Sequence, residues 1–321
     1  MSRRPARGAA VPLALLAALL AVVVAREASA GDAARPPCPV APASATCAPR
    51  WRVQATGVAT FSPAADLEDD RGDVSVRRGG FDVLTTYEVS PRWTVGFDLG
   101  AERSTYDFSD PARLVPGAGR LFEEGTTVYV APGLKLTLDD TWAFAGAVTV
   151  STGFAPGADA SDGTTASVVA TVRRRVSSSL AVLVGGLYST SLEDDPTIVP
   201  IVTIMGAGPS EGPVRFEFRG AGLRATYALS ERVAVAASAR YVRREFRLAA
   251  TDRVPEGVFR DVRVPVSLEL DLRPRPNVTI SGAVGVNAYA DLRFDDRDGN
   301  ELVDAQADVG LWFGLSATIR F

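Results

Sequence analysis

From residue 51 onward, apolar and polar positions alternate along the chain in stretches of roughly 10 to 15 residues. Val262, Val264, Val266, Leu268, Leu270 and Leu272 are interleaved with Arg263, Ser267, Glu269 and Asp271. Val278, Ile280, Val284 and Val286 oppose Asn277, Thr279, Ser281, Asn287 and Asp291. Trp93, Val95, Phe97 and Leu99 alternate with Thr94, Asp98 and Glu102, and Trp142, Phe144, Val148 and Val150 with small residues. Val128, Val130, Leu134, Leu136 and Leu138 face away from Thr127, Tyr129, Lys135 and Thr137. A period of two sends successive side chains to opposite faces of a strand. Each stretch therefore predicts a strand with one apolar face and one polar or small face.

The connections come in two sorts. Tight turns fall at Ser90-Pro91-Arg92, Asp139-Asp140-Thr141, Ser177-Ser178-Ser179, Ser230-Glu231 and Arg273-Pro274-Arg275-Pro276. Longer loops lie near 62–73, 107–123, 155–164, 192–213, 249–257 and 294–305. Between them the pattern predicts strands near 51–61, 78–89, 92–106, 124–138, 141–153, 165–176, 179–191, 214–229, 231–248, 258–272, 277–293 and 306–321. That is twelve. The misfit is Thr197–Met205, itself strand-like. Paired with the piece from Val214 to Phe218, and with breaks at Gly220 and Gly222, it would make fourteen.

A water-soluble sandwich would alternate in the same way, so length must decide. These strands exceed the usual five or six residues of soluble sheets. They approach the ~9–11 residues that cross a bilayer at a tilt. Short turns on one side and long loops on the other, with an even strand number, also fit a membrane barrel. Trp51, Trp93 and Trp142 fall at the tight-turn ends of their strands, where an interfacial girdle belongs. The last strand carries Leu311, Phe313, Leu315, Ala317, Ile319 and Phe321 in one register and Trp312, Ser316, Thr318 and Arg320 in the other. This ending resembles the terminal strand of bacterial outer-membrane β-barrel proteins of the porin-like kind, although Ile319 stands where an aromatic is usual. The resemblance implies an all-β, transmembrane, antiparallel up-and-down β-barrel over residues 51–321. It also implies outer-membrane lipid and lipopolysaccharide as surroundings, and a terminal strand (Leu315, Ile319, Phe321) read by the outer-membrane insertion machinery.

The N-terminus agrees. Arg3, Arg4 and Arg7 precede an apolar run from Val11 to Ala25, and Ala28, Ser29 and Ala30 give a small-residue cleavage pattern. Residues 1–30 are thus expected to be a signal peptide, followed by a periplasmic leader over 31–50. Cys38 and Cys47 lie in that leader and can close one small disulfide loop in an oxidising compartment.

Composition narrows the function. A net charge of −4 lacks the basic surplus of a nucleic-acid partner. Arginine dominates the cations, with Lys135 the lone lysine among 34 Lys and Arg. The chain has no histidine, which removes the usual general base of nucleophilic triads, so no enzyme activity is expected. The charges on the polar faces cannot face lipid, since one at mid-depth costs ~2–4 kcal/mol. Asp98, Glu102, Lys135, Arg173, Arg175, Arg240, Arg263, Glu269, Asp271 and Asp291 are therefore expected in the lumen. Their mixed signs fit either a narrow pore or a lumen closed by ion pairs. The expected function is a passive pore or small-solute transporter; the alternative is a structural or adhesive barrel with a side-chain-filled lumen. No cofactor is expected. The loop around Asp296, Asp298 and Asn300 has oxygen spacing reminiscent of a calcium site, without the glycine position or terminal Glu of an EF-hand.

Overall fold

A computed structural model describes residues 50–115, 121–177, 181–205, 214–219, 222–250 and 252–321. The expected signal peptide, the Cys38–Cys47 pair and the predicted break at Gly220 lie outside these residues. The strands are β1 (Arg50–Asp66), β2 (Asp73–Glu88), β3 (Trp93–Phe108), β4 (Glu124–Thr137), β5 (Trp142–Phe154), β6 (Thr164–Arg175), β7 (Ala181–Ser189) and β8 (Thr197–Met205). They continue as β9 (Val214–Arg219), β10 (Gly222–Ala228), β11 (Val233–Arg240), β12 (Val242–Arg247), β13 (Val258–Arg275), β14 (Val278–Asp295), β15 (Glu301–Ala307) and β16 (Gly310–Arg320). One short helix, α1 (Pro111–Leu114), lies between β3 and β4.

Among the described residues the sixteen strands belong to one sheet, whose main path is β8-β7-β6-β5-β4-β3-β2-β1-β16-β14-β13-β11-β10-β9. Neighbours on the path are antiparallel, and each hairpin follows chain order. β1 pairs with β16, from Gln54 opposite Arg320 to Phe61 opposite Phe313, so the first and last strands are joined in mid-path. β12 prolongs β11 along β13, and β15 prolongs β16 along β14.

Two expectations change. The stretch 214–229 is not one strand. β9 and β10 pair antiparallel, Arg219 opposite Gly222, so the chain reverses where a single continuous strand was predicted. Nor is 192–213 one long loop, because β8 runs the length of β7 from Thr197 opposite Ser189 to Met205 opposite Ala181. β8 was misleading because it is apolar at successive positions (Ile198, Val199, Ile201, Val202) and so shows little alternation. The strands also outrun their predicted ends: β1 and β2 consume most of 62–73, and β14 and β15 most of 294–305.

The two faces divide by chemistry. Outward positions carry exposed apolar side chains: Phe81; Val95, Phe97 and Leu99; Val128 and Leu134; Val148 and Val150; Leu268, Leu270 and Leu272; Val284; and Phe313, Leu315 and Ile319. Large apolar groups exposed in a continuous band mark a surface facing hydrocarbon rather than water. Trp51, Trp93 and Trp142 all point outward at the tight-turn edge of this band, with Trp51 against Tyr87 at 4.5 Å and Arg174 over Trp142 at 5.2 Å. Past its other edge the same outward faces turn polar, with Arg103 paired to Glu124 and Arg77 over Phe61. Inward positions are small or polar through the band: Gly96, Gly100, Gly133, Ala145, Ala147, Thr149, Thr171 and Gly285.

The apolar core sits above the band, at the long-loop end. Phe259 of β13 is at its centre, with ring centroids 4.7 Å from Phe122 and Phe294 and 4.9 Å from Tyr106. Phe246 of β12, Leu292 of β14, Val74 and Val76 of β2 and Leu114 of α1 complete it, all buried. Full burial of each such side chain contributes ~1.5–3 kcal/mol.

The outward assignment has a direct test. Val284→Arg places a guanidinium in the middle of the apolar band and should cost ~2–4 kcal/mol, whereas Ser281→Arg on the inward face should cost far less. Reversible urea unfolding in lipid vesicles measures both; equal costs would contradict the assignment of faces.

Candidate functional site

At the long-loop end the chain folds back across the sheet. The β12–β13 hairpin, with β13 still paired to β14 up to Val258 opposite Asp295, reaches β5 on the other arm of the sheet path. The β12 carbonyl of Arg247 accepts from the Ala155 N–H at 2.9 Å, and Arg247 bridges Phe154 at the end of β5. Pro265 supplies the local cause. It has no N–H to give to a neighbour. Opposite it the ladder to β11 and β12 skips Arg240 and Tyr241, and on the other side β14 bulges so that Ala288 has no partner. Both of its neighbours are therefore irregular at the same height, and the hairpin bends there. The receiving wall is cut away to admit it. A Cβ on Gly125 would run into the Phe246 ring, and one on Gly153 into the Glu245 carbonyl.

One face of the hairpin carries Phe259, Asp261 and Arg263 on β13, and Phe246 and Arg244 on β12, toward β2, β3 and β4. Beneath the aromatic layer Asp261 is wholly buried. Its carboxylate accepts from Tyr106 Oη at 2.7 Å, from Arg263 Nε at 2.7 Å and from Arg78. Glu102 of β3 accepts from Arg244 Nη2 at 2.8 Å. The opposite face meets the β7–β8 connection. There Arg260 lies 2.8 Å from Asp194 and 2.9 Å from Glu245, and Arg247 lies 2.6 Å from Glu193. A buried charge requires such pairing, since desolvation of each ion costs several kcal/mol.

A third network lies lower on the wall. Arg224 of β10 reaches Glu269 at 2.8 Å and Asp271 at 2.7 Å, and Ser238 and Ser281 donate to the same carboxylates at 2.6 and 2.7 Å. Of the charges expected in the lumen, Asp98, Glu102, Lys135, Arg173, Arg240, Arg263, Glu269 and Asp271 stand on inward positions, and Arg175 at the tight-turn rim of the same face. Asp291 is the exception. The extra residue Ala288 reverses the alternation, so Asp291 shares the face of Val262 and Arg260 rather than that of Phe259.

Alternation also placed partners that the sequence reading did not single out. Arg78 shares parity with Asp82, Tyr106 with Glu102, and Asp261 with Arg263, so a strict register count would have found them. Arg244 and Glu245 carried no such cue, because their partners come from distant strands.

In the loop after β14, Asp296 anchors the turn. Its Oδ1 accepts from the N–H groups of Asp298 at 2.9 Å and Asn300 at 2.8 Å, and Oδ2 from Asn300 Nδ2 at 2.9 Å. Gly299, at φ +78, supplies the left-handed residue the turn needs. The Asn300 side chain and then its N–H hold the Asp296 carboxyl below the usual carboxylate range. Among the described residues no group of three or more His, Cys, Asp or Glu side chains is arranged to hold a metal.

No family model matches the chain. No curated protein matches it either. Among solved structures it is similar to an outer-membrane channel from Pseudomonas putida F1 at 11% identity, covering 88% of this chain and 100% of that one, with a TM-score of 0.47. It is also similar to the translocator domain of the autotransporter NalP from Neisseria meningitidis at 12% identity, covering 84% and 88%, TM-score 0.38. A third likeness is to the P. putida toluene transporter TodX at 9% identity, covering 84% and 90%, TM-score 0.39.

Two outcomes follow from these networks. Asp261→Asn removes the charge that holds two buried arginines and should destabilise the protein by about 3–5 kcal/mol, read from denaturant unfolding in detergent. For the loop the sign follows from the lowered carboxyl. The ordering due to Asp296 is present above the ordinary carboxylate range and is lost as pH falls through its depressed folded value. The protection factors of the Asp298 and Asn300 amides, measured against the intrinsic rate at each pH, should fall over that acid window in the wild type and already be low at neutral pH in Asp296→Ala.

Proposed function

We propose that the protein is a bacterial outer-membrane β-barrel of fourteen strands that passes small solutes, its external mouth stoppered by its own β12–β13 hairpin. Closure of the barrel requires β8 and β9, consecutive in the chain and at the two ends of the sheet path, to lie side by side. Outer-membrane lipid and lipopolysaccharide then contact the apolar band, and the strand ending at Phe321 is the segment the insertion machinery reads.

One observation carries the pore reading. Below the stopper the inward face mixes glycine, alanine, serine and threonine with the charges Asp98, Lys135 and Arg173, and along β3 to β6 positions such as Gly96, Gly133, Ala145, Ala147 and Thr171 are partly exposed rather than packed. A barrel of this breadth is not filled by such side chains. The lumen is accordingly a wet vestibule that ends at the aromatic and ionic layers of the hairpin. The second reading, a filled barrel that only displays its loops, draws on those same layers.

Conductance across planar bilayers separates the two. The wild type should conduct weakly or in brief openings. Gly153→Val, whose side chain overlaps the Glu245 carbonyl, and Phe246→Ala, which thins the aromatic layer, should each unseat the hairpin and raise conductance several-fold. If all three insert and none conducts, the lumen is filled and the pore reading fails.

A further inference from the structure

Four guanidinium groups meet at the roof of the vestibule: Arg78 of β2, Arg240 at the end of β11, Arg244 of β12 and Arg263 of β13. Two carboxylates oppose them. Glu102 is committed to Arg244, and Asp261 accepts from Arg78, Arg263 and Tyr106 together. The next carboxylate, Glu269, is held by Arg224 at 2.8 Å and by Ser238 at 2.6 Å. Asp82 and Asp98 face the lumen lower on β2 and β3. The roof thus carries more positive than negative charge. Arg240 makes no ion pair among the described residues and is the exposed member of the group.

Two atoms are left over. Arg263 Nη2 and Arg78 Nε are buried donors with no hydrogen-bond partner, on side chains only 6% and 5% exposed. Buried polar groups are almost always satisfied, so an orphaned guanidinium N–H beside surplus positive charge points to an acceptor that comes from outside the chain. Guanidinium groups bind oxyanions through paired, charge-assisted hydrogen bonds.

We propose that this roof is an oxyanion subsite, taken by the carboxylate or phosphate group of a small solute that reaches it through the vestibule. Arg240 makes the first contact from the lumen side, and the N–H groups of Arg263 and Arg78 complete the cradle as the anion displaces water. The subsite deepens the pore reading and rests on it for its route of access, while its chemistry is independent of conduction.

The test is calorimetric titration of the full chain in detergent with inorganic phosphate and, separately, with acetate. Saturable binding of either is expected. Arg240→Gln should weaken it ~10-fold or more while leaving strand content unchanged, since Arg240 anchors no ion pair. Arg240→Lys should retain part of the affinity. Lys135→Gln, which removes a lumen charge far from the roof, should leave it intact. Absence of saturable heat with both anions overturns the subsite, and so does an equal loss from Arg240→Gln and Lys135→Gln, which would reduce the effect to general lumen charge. A protein that binds phosphate but never conducts keeps the subsite and loses the pore; one that conducts without binding loses the subsite alone.

Discussion

Every backbone N–H and C=O that faces hydrocarbon must find its partner on a neighbouring strand, because no water is there to take it. That demand explains why one sheet contains all sixteen strands and why β1 is joined to β16. It also explains where the sheet is allowed to fail. Proline stands at most of the breaks: Pro63 within the shift between Ser62 and Ala65, Pro265 at the kink of β13, Pro274 within the shift between Leu272 and Arg275. Pro132 interrupts the ladder from β4 to β5 between Val130 and Gly133. Pro200 lies in β8, one end strand of the sheet path. A residue without an N–H has marked out the irregularities in advance.

The consequence of each break depends on height. At Pro132, inside the apolar band, the ladder resumes in the same register on both sides and the wall stays straight. At Pro265, above the band, both neighbouring ladders are disturbed at once, and water and loop side chains can satisfy what the backbone loses. The hairpin is therefore free to leave the wall only where leaving it is cheap. The same geometry reverses the faces of β14, which is why Asp291 parts company with Asn287 and Ser281 although all three share one parity in the sequence. Asn287, below the bulge, remains inward and donates to Ser62 at 3.1 Å.

What the sequence reveals follows from range. The period of two is a local signal, so strand identity, the inward charges and the tryptophan girdle could all be read from it. The tight turns within the described residues, from two to four residues long, were legible for the same reason; the predicted turn at Ser178-Ser179 lies outside those residues. β8 was legible as a strand but not in its place, because its two faces are equally apolar, and the β9–β10 reversal entered only as the alternative marked by Gly220 and Gly222. The stopper could not be read at all. It depends on Phe246 meeting Phe122 and Tyr106, and on Arg244 meeting Glu102, contacts more than a hundred residues apart that no periodicity encodes.

Width ties the wall to the stopper. On the proposal that the fourteen-member sheet path closes on itself, it encloses more space than inward glycines, alanines and threonines can fill. The opening at the long-loop end must then be closed, if at all, by main chain brought inward rather than by longer side chains from the wall. The hairpin meets that need with a layered design. Aromatic rings exclude water at the top, and Asp261 with its arginines forms a charged floor that would be too costly to bury without the rings above and the pairing within. Removing either layer exposes the other, so the aromatic and ionic layers should be lost as a unit.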